Sequence, residues 1–170
     1  MLAENSKNYT PKSFYGVSKA CSELLAKNYF DQLNVSIARI FHPYGPNGDN
    51  FLINRLFNNV LNNQKIIIEG IEGISLNPIY IDELSDALVN LLFINRKGIF
   101  HFGGPKVYTL KEIIEIFANF LNKPINIKMI PKDFVKCQVG EFKRTTQVLN
   151  FNPKIDINTA IELYFKKKLI

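Results

Sequence analysis

The stretch PKSFYGVSKACSE occupies residues 11–23 and opens a run of apolar residues at helical spacing that extends to about residue 32. Tyr15 and Lys19 lie four residues apart within it, so on a helix their side chains share one face, with about 6 Å between the β-carbons. An ammonium group beside a phenol stabilises the phenolate, and such a tyrosine can exchange a proton with a hydroxyl or carbonyl group. The stretch therefore predicts a helix that carries an acid–base pair.

The same spacing recurs at Tyr164 and Lys168, near the end of the chain. The chain has 7 tyrosines and many lysines, so such pairs also arise by chance. Taken alone, the spacing therefore favours an ordinary surface pair at the start of a helix. The segments around Tyr15 and Lys19 must decide whether the pair has a role in chemistry.

Helical and strand-like segments alternate along the rest of the chain. Helical periodicity predicts helices over residues 50–63, 82–93, 109–121 and 158–168, and short apolar runs predict strands at 35–41, 66–68, 79–81, 99–102 and 125–130. Asp82 is the expected cap of one helix, and Thr109 with Glu112 is a capping box for the next. The breaker-rich residues 43–48 predict a loop. This alternation is typical of an α/β protein.

Five segments, in order along the chain, resemble the extended short-chain dehydrogenases of the NAD(P)-dependent epimerase/dehydratase family. The first matches that family's P-x-S-x-Y-G-x-S-K-x-x-x-E signature, and the second is similar to its R-x-x-N-x-Y-G-P loop. The segments are PKSFYGVSKACSE at 11–23, ARIFHPYGP at 38–46, IYIDEL at 79–84, FHFGGP at 100–105 followed by YTLKE at 108–112, and LNFNPK at 149–154. Their conserved order makes chance an unconvincing explanation.

The resemblance implies a fold and a division of the chain. It implies the C-terminal part of a Rossmann-type enzyme with the small substrate-binding subdomain, and no dinucleotide-binding half. Residues 1–46 would end the Rossmann core, and residues 47–170 would form mostly the substrate-binding subdomain, with segments near 79–102 returning to the core. The sequence contains no glycine-rich G-x-G-x-x-G turn that could hold a pyrophosphate.

The resemblance also implies the cofactor side of a site. Tyr15 would be the catalytic acid/base, and Lys19 would activate it and bind the nicotinamide ribose of NAD or NADP. Phe41 lies where family members contact the nicotinamide end of the cofactor. Arg39 is expected to make a structural pair, and His101 is expected to belong to the core or its rim.

On the substrate side, His42 lies where most family members carry a substrate-facing Asn. Its alternative role is that of a strand-end residue with a satisfied hydrogen bond. Asn50 and Phe51 fall near a segment that contacts the nucleotide part of the substrate. The chain departs from the family pattern at one stretch. Many members have an Arg there that binds the diphosphate of the nucleotide-sugar substrate, whereas Leu76 and its neighbours occupy the stretch in this chain. A different sugar carrier or a phosphate grip by another basic residue would each fit.

The expected function is that of a truncated sugar-nucleotide epimerase, dehydratase or reductase, inactive without an N-terminal half. That half could be made separately, and the isolated chain is expected to fold poorly or to self-associate as a homo-oligomer. The alternative is a non-catalytic remnant, or a binding subunit with the shape of the substrate domain.

Composition and charge bear on three further classes of function, which are nucleic-acid binding, metal binding and membrane spanning. The formal net charge is +6, but the basic residues are scattered apart from the run at 166–168, so nucleic-acid binding is not expected. That run is expected to be the solvated end of a last helix. The 2 cysteines have no partners at metal-ligand spacing, and no apolar run is long enough to span a membrane. A cytoplasmic location without a metal site follows as the expectation.

Overall fold

Parallel strand pairing organises the chain, as the α/β expectation requires. The computed structural model describes residue 11 and residues 13–133 and 137–169. Its helices are Phe14–Lys27 (α1), Leu52–Leu61 (α2), Ile81–Ile94 (α3), Leu110–Leu121 (α4), Lys143–Leu149 (α5) and Ile157–Ala160 (α6). Its strands are Ser36–Ile40 (β1), Pro43–Tyr44 (β2), Ile66–Glu69 (β3), Ser75–Leu76 (β4), Ile79–Tyr80 (β5), Gly98–Phe102 (β6), Tyr108–Thr109 (β7), Ile127–Ile130 (β8) and Cys137–Gln138 (β9).

The pairs β1–β6, β2–β5 and β3–β8 are all parallel, and the register of β1 on β6 runs from Ser36 opposite Gly98 to Ile40 opposite Phe102. β4 pairs with β7 in the antiparallel sense and with β9 in the parallel sense. β2 lies inside the stretch for which the sequence predicted only a loop. Parallel pairing places the carboxyl ends of β1 and β6 side by side, which is where such sheets usually bind ligands.

Helix α1 is capped as its sequence requires but is largely uncovered. The Ser13 hydroxyl accepts a hydrogen bond from the Gly16 amide at 3.1 Å. Gly16 is the buried residue of the helix, whereas Leu24 and Leu25 are 63% and 65% exposed. Within the described residues, β1 pairs only with β6, so its other edge is open. Among the described residues, an open parallel edge therefore lies next to an exposed apolar helix face.

The larger hydrophobic core lies between α2, α4 and the C-terminal segment. Phe165 is fully buried there, and its ring centroid lies 4.6 Å from that of Phe57 and 5.0 Å from that of Phe117. The predicted capping box is confirmed, because Thr109 and Glu112 exchange side-chain to backbone hydrogen bonds of 2.7 and 3.2 Å at the start of α4.

A smaller core joins β6 to α3 and α5. Phe100 and Phe102 are fully buried and pack with Leu84 of α3 and Leu149 of α5. Among the described residues, no helix is long and apolar enough to cross a membrane.

Two local predictions were wrong. Asp82 does not cap α3, because the helix begins at Ile81, Tyr80 is its N-cap, and no side chain bonds the free amides there. The last helix is not regular, since α6 continues as a π-helical turn over Ile161–Phe165 and a 3-10 turn over Lys167–Leu169.

The basic run at the C-terminus is also not simply a solvated helix end. The Lys168 ammonium pairs with the Asp49 carboxylate at 2.8 Å. The C-terminal segment is therefore tied to the loop that precedes α2.

The core position of Phe165 can be tested by replacing a phenylalanine with alanine at this buried site and at an exposed control site. Phe165→Ala should lower the free energy of unfolding by about 3–5 kcal/mol, because it leaves a cavity where three aromatic rings meet. Phe93→Ala removes the same atoms from a side chain that is 84% exposed, so it should change stability by less than about 0.5 kcal/mol. Urea unfolding followed by circular dichroism measures both, and equal losses would contradict the packing described here.

Candidate active site

Helix α1 presents Tyr15 and Lys19 together on one face, as the spacing predicted. The Lys19 ammonium lies 5.5 Å from the centroid of the Tyr15 ring. Tyr15 is 70% exposed, so its hydroxyl is open to a ligand from solvent. The structure thus forms the predicted pair and leaves it accessible.

The next residue on the same face, Glu23, ties the helix to the sheet. Its carboxylate accepts two hydrogen bonds from the Arg39 guanidinium, Nε to Oε1 at 2.7 Å and Nη2 to Oε2 at 2.6 Å. The Arg39 hydrogen bond lowers the pKa of Glu23, against the opposing effect of partial burial. The expected structural pairing of Arg39 is confirmed. Sequence reasoning gave Glu23 no role. Its position four residues after Lys19 places it on this face of the helix but does not identify Arg39 as its partner.

His101 is buried between Arg39 and the chain after β9. Its Nδ1 lies 2.9 Å from the Glu141 carbonyl oxygen, and its Nε2 lies 3.3 Å from Arg39 Nη1. Because a guanidinium only donates and a carbonyl only accepts, this geometry fits the neutral ring with its proton on Nδ1. The His101 backbone amide also donates to the Thr145 hydroxyl at 2.9 Å. The expected core position of His101 is confirmed.

Phe41 follows β1 and packs on the same histidine. The two ring centroids are 5.2 Å apart, and the Phe41 amide donates to the Phe102 carbonyl at 2.9 Å. The ring also covers Gly140 so closely that a β-carbon there would overlap it. Phe41 is therefore held at the carboxyl end of the strand pair, while its contact with a nicotinamide stays a prediction.

His42 occupies a left-handed backbone conformation, with φ of 47°. Such a conformation is uncommon for a residue with a side chain, and it is more frequent at functional sites. Burial lowers the pKa of His42, while a hydrogen bond from its side chain to Gln138 has the opposite effect. Its carbonyl accepts a hydrogen bond from the Ile79 amide at 3.2 Å. The ring thus has a protein partner, as the structural alternative expected, and its role towards a substrate stays a prediction.

Asn77, which sequence reasoning did not single out, fixes the chain beneath Phe41. Its side-chain amide accepts from the Gly140 amide at 3.0 Å and donates to the Gly140 carbonyl at 3.1 Å. Only 2% of the residue is exposed. Leu76, at the position where many family members hold an Arg, is fully buried in the larger core. The side chain at 76 therefore offers no cation to a diphosphate.

Asn50 and Phe51 lie in the turn that leads into α2. The Phe51 amide donates to the Gly48 carbonyl at 2.8 Å, and Phe51 is the N-cap residue of α2. Within the described part of the chain, no hydrogen bond or ion pair links these two residues to Tyr15 or Lys19. The Tyr15–Lys19 part and the Asn50–Phe51 part of the predicted site are thus held in place by separate contacts.

The buried Asn54 holds this turn in place. Its amide side chain accepts from the Gly45 amide at 3.2 Å and donates to the Gly45 carbonyl at 2.7 Å. It also donates to the Tyr164 hydroxyl at 3.3 Å. Tyr164, the tyrosine of the second Tyr-x-x-x-Lys spacing, therefore has a structural partner.

Comparison with known proteins gives one family match. A model described as the NAD dependent epimerase/dehydratase family matches residues 2–98. UDP-glucuronic acid decarboxylase 3 of Arabidopsis thaliana is 24% identical over 159 residues, which cover 89% of this chain and 46% of that protein. UDP-glucuronic acid decarboxylase 2 of the same plant is 23% identical over 162 residues, or 91% of this chain and 36% of that protein.

Solved structures of similar fold are also enzymes of nucleotide sugars. The dTDP-glucose 4,6-dehydratase of Bacillus anthracis in complex with NAD superposes with a TM-score of 0.83 at 21% identity, over 96% of this chain and 54% of that one. The UDP-glucuronic acid 4-epimerase of Bacillus cereus in complex with NAD gives 0.82 at 20% identity, over 97% and 53%. The chain therefore spans about half the length of these neighbours and of the first curated relative it matches.

The anchoring role of Asn77 can be tested by comparison with an exposed asparagine. Asn77→Ala leaves the Gly140 amide and carbonyl buried without a partner, so it should cost about 2 kcal/mol of unfolding free energy. Asn90→Ala changes an exposed position of α3 and should cost less than about 0.5 kcal/mol. Urea unfolding gives the costs, and amide exchange at Gly140 should rise only in the first variant. Unchanged exchange at Gly140 would show that another contact holds this segment.

Proposed function

The chain belongs to the NAD dependent epimerase/dehydratase family, and we propose that it forms the part of a sugar-nucleotide epimerase, dehydratase or reductase that moves the substrate proton. The observation that carries the proposal is the Tyr15–Lys19 pair, formed on one exposed helix face inside the family signature. Relatives and structural neighbours are named as enzymes of UDP-glucuronic acid and dTDP-glucose.

In this proposal the Tyr15 hydroxyl exchanges a proton with a hydroxyl or carbonyl oxygen on the sugar. The Lys19 ammonium lies 5.5 Å from the centroid of the same ring, which places a positive charge next to the side chain that transfers the proton. A positioned acid–base group of this kind contributes about 10²–10⁴-fold to a rate.

NAD(P) is the cofactor of the family, and the groups on α1 fit its nicotinamide end. Tyr15 and Lys19 offer a hydroxyl and an ammonium, donors suited to the hydroxyls of a ribose, and both side chains are exposed. Phe41, half-buried at the strand end, offers an apolar surface nearby in the sheet. When bound, the cofactor supplies a reversible acceptor for hydride. The residues of this chain orient it and hold the proton.

A dinucleotide-binding half is needed to complete the site. We propose that it covers the open edge of β1 and the uncovered apolar face of α1, and that residues 1–170 alone are inactive. Residues 1–46 would then end the Rossmann core, while residues 47–170 form mostly the substrate-binding subdomain with 79–102 returning to the core.

His42, Asn50 and Phe51 are the proposed substrate contacts. The left-handed backbone at His42, two residues after β1, supports its assignment, and Asn50 and Phe51 lie in the turn that leads into α2. The burial of Leu76 favours a second candidate, a non-catalytic binding subunit, because the position that often grips a diphosphate carries no charge here.

The catalytic role is tested in enzyme assembled from residues 1–170 and a dinucleotide-binding half. Tyr15→Phe should lower turnover of UDP-glucuronic acid with NAD⁺ by at least about 100-fold and leave NAD⁺ binding intact, because only the proton-transferring hydroxyl is lost. Tyr29→Phe, which removes a hydroxyl from an exposed ring just after α1, is the control and should turn over normally. Undiminished turnover by Tyr15→Phe would contradict the assignment of Tyr15 as the group that transfers the proton.

The proposed docking face makes a separate prediction. Changing Leu24 and Leu25 together to Glu places two charges on the apolar face of α1, so binding to the dinucleotide-binding half should weaken by at least tenfold, since burying an unpaired charge is costly. Leu92→Glu, on an exposed position of α3, should bind as the wild type does. Calorimetric titration measures the affinities. Equal affinity in all three proteins would exclude the α1 face as the contact.

A further inference from the structure

The orientation of α1 is fixed by few contacts. Gly16 is the buried residue of the helix, and the apolar residues on its far side are exposed. With so little of the helix buried, apolar packing fixes its rotation about its own axis only weakly. Something more specific must hold the Tyr15–Lys19 face in place.

The ion pair of Glu23 with Arg39 has the required properties. Glu23 follows Lys19 by four residues, as Lys19 follows Tyr15, so all three side chains lie along one face of α1. The pair makes two parallel hydrogen bonds, and the side chains are only 15% (Arg39) and 21% (Glu23) exposed. Such a two-point contact between planar groups fixes both distance and angle.

The sheet end of the pair is itself held. Arg39 lies in β1, and its other amino group lies 3.3 Å from the ring of His101 in β6. That ring is bonded to the Glu141 carbonyl, and the backbone of His101 is bonded to Thr145. The guanidinium therefore has little freedom to turn away from Glu23.

The same histidine also holds Phe41. Arg39 and Phe41 are two residues apart, which places both on one face of the extended chain. Both contact His101, Arg39 through its Nη1 and Phe41 through its ring. One buried group thus connects the orientation of α1 to the position of Phe41.

We propose that Arg39, acting through Glu23, is a positioning residue that sets the Tyr15–Lys19 face of α1 against the end of β1, where Phe41 lies. Arg39 touches neither substrate nor cofactor in this role. The assignment rests on the proposed function for its catalytic consequence. The orientation of the helix can be measured without it.

Three variants separate this role from simple stabilisation. Arg39→Lys keeps the charge but loses the two-point contact, and Glu23→Gln keeps the shape but loses the charge. Lys111→Met is the control, because it breaks the Lys111–Glu72 pair of 3.1 Å at the other side of the molecule.

The orientation itself is measured with the 2 native cysteines of the chain. Cys21 lies on α1 and Cys137 on β9, and both are exposed, so spin labels can report the distance between the two elements. Labelled chain diluted in unlabelled chain should give one narrow distance distribution in wild type and Lys111→Met. The distribution should broaden in Arg39→Lys and Glu23→Gln. Narrow distributions in all four proteins would overturn the proposal.

The catalytic consequence is measured in enzyme assembled with a dinucleotide-binding half. Arg39→Lys and Glu23→Gln should lower kcat by about 10- to 100-fold, the scale of a misplaced reacting group, and change KM for NAD⁺ by less than about twofold. A structural defect alone would lower the melting temperature and leave kcat per folded enzyme unchanged, and that result overturns the proposal. If Tyr15→Phe retains turnover, the proposed function fails instead, and the distance measurement still decides the role of Arg39.

Discussion

The rest of the structure depends on the parallel pairing of β1 with β6. Two strands so far apart in sequence can run side by side in the same direction only if the chain between them returns over the sheet. The chain that connects the two strands contains α2, β3 and α3. The pairing therefore places some of these elements beside the sheet and others against it. It also brings the residues after β1 and those after β6 to one edge, where Phe41 and Gly103 follow their strands.

The chain beyond that edge is held by buried side-chain amides in addition to the short pairs β2–β5 and β4–β9. The Asn54 side chain is hydrogen-bonded to both the amide and the carbonyl of Gly45. The Asn77 side chain is hydrogen-bonded in the same way to Gly140. A side-chain amide carries one donor group and one acceptor, like a peptide bond, so it can replace a missing strand partner for one residue. Gly45 and Gly140 therefore have both backbone groups hydrogen-bonded to a side chain.

The sequence predicted those helices and strands whose signals come from residues close to one another in the chain. The helical period before residue 28, the capping box at Thr109 and the apolar runs of β1 and β6 depend on near neighbours, and each was found. Asp82 failed as a cap because α3 already begins at Ile81. The neighbouring Glu83 accepts hydrogen bonds from the amides of Lys154 and Ile155, far along the chain. The Asn77 and Glu23 contacts depend likewise on distant partners. No spacing rule finds such pairs.

The open edge of β1 has a consequence for the life of the protein in a cell. A strand edge that has no partner strand among the described residues is a template for another extended segment, and the exposed apolar residues of the helix beside it can take part in the same mispairing. Such surfaces are also what chaperones and proteases of quality control engage. The lifetime of the chain in a cell would then depend more on how quickly another segment covers that edge of β1 than on the packing of the aromatic core.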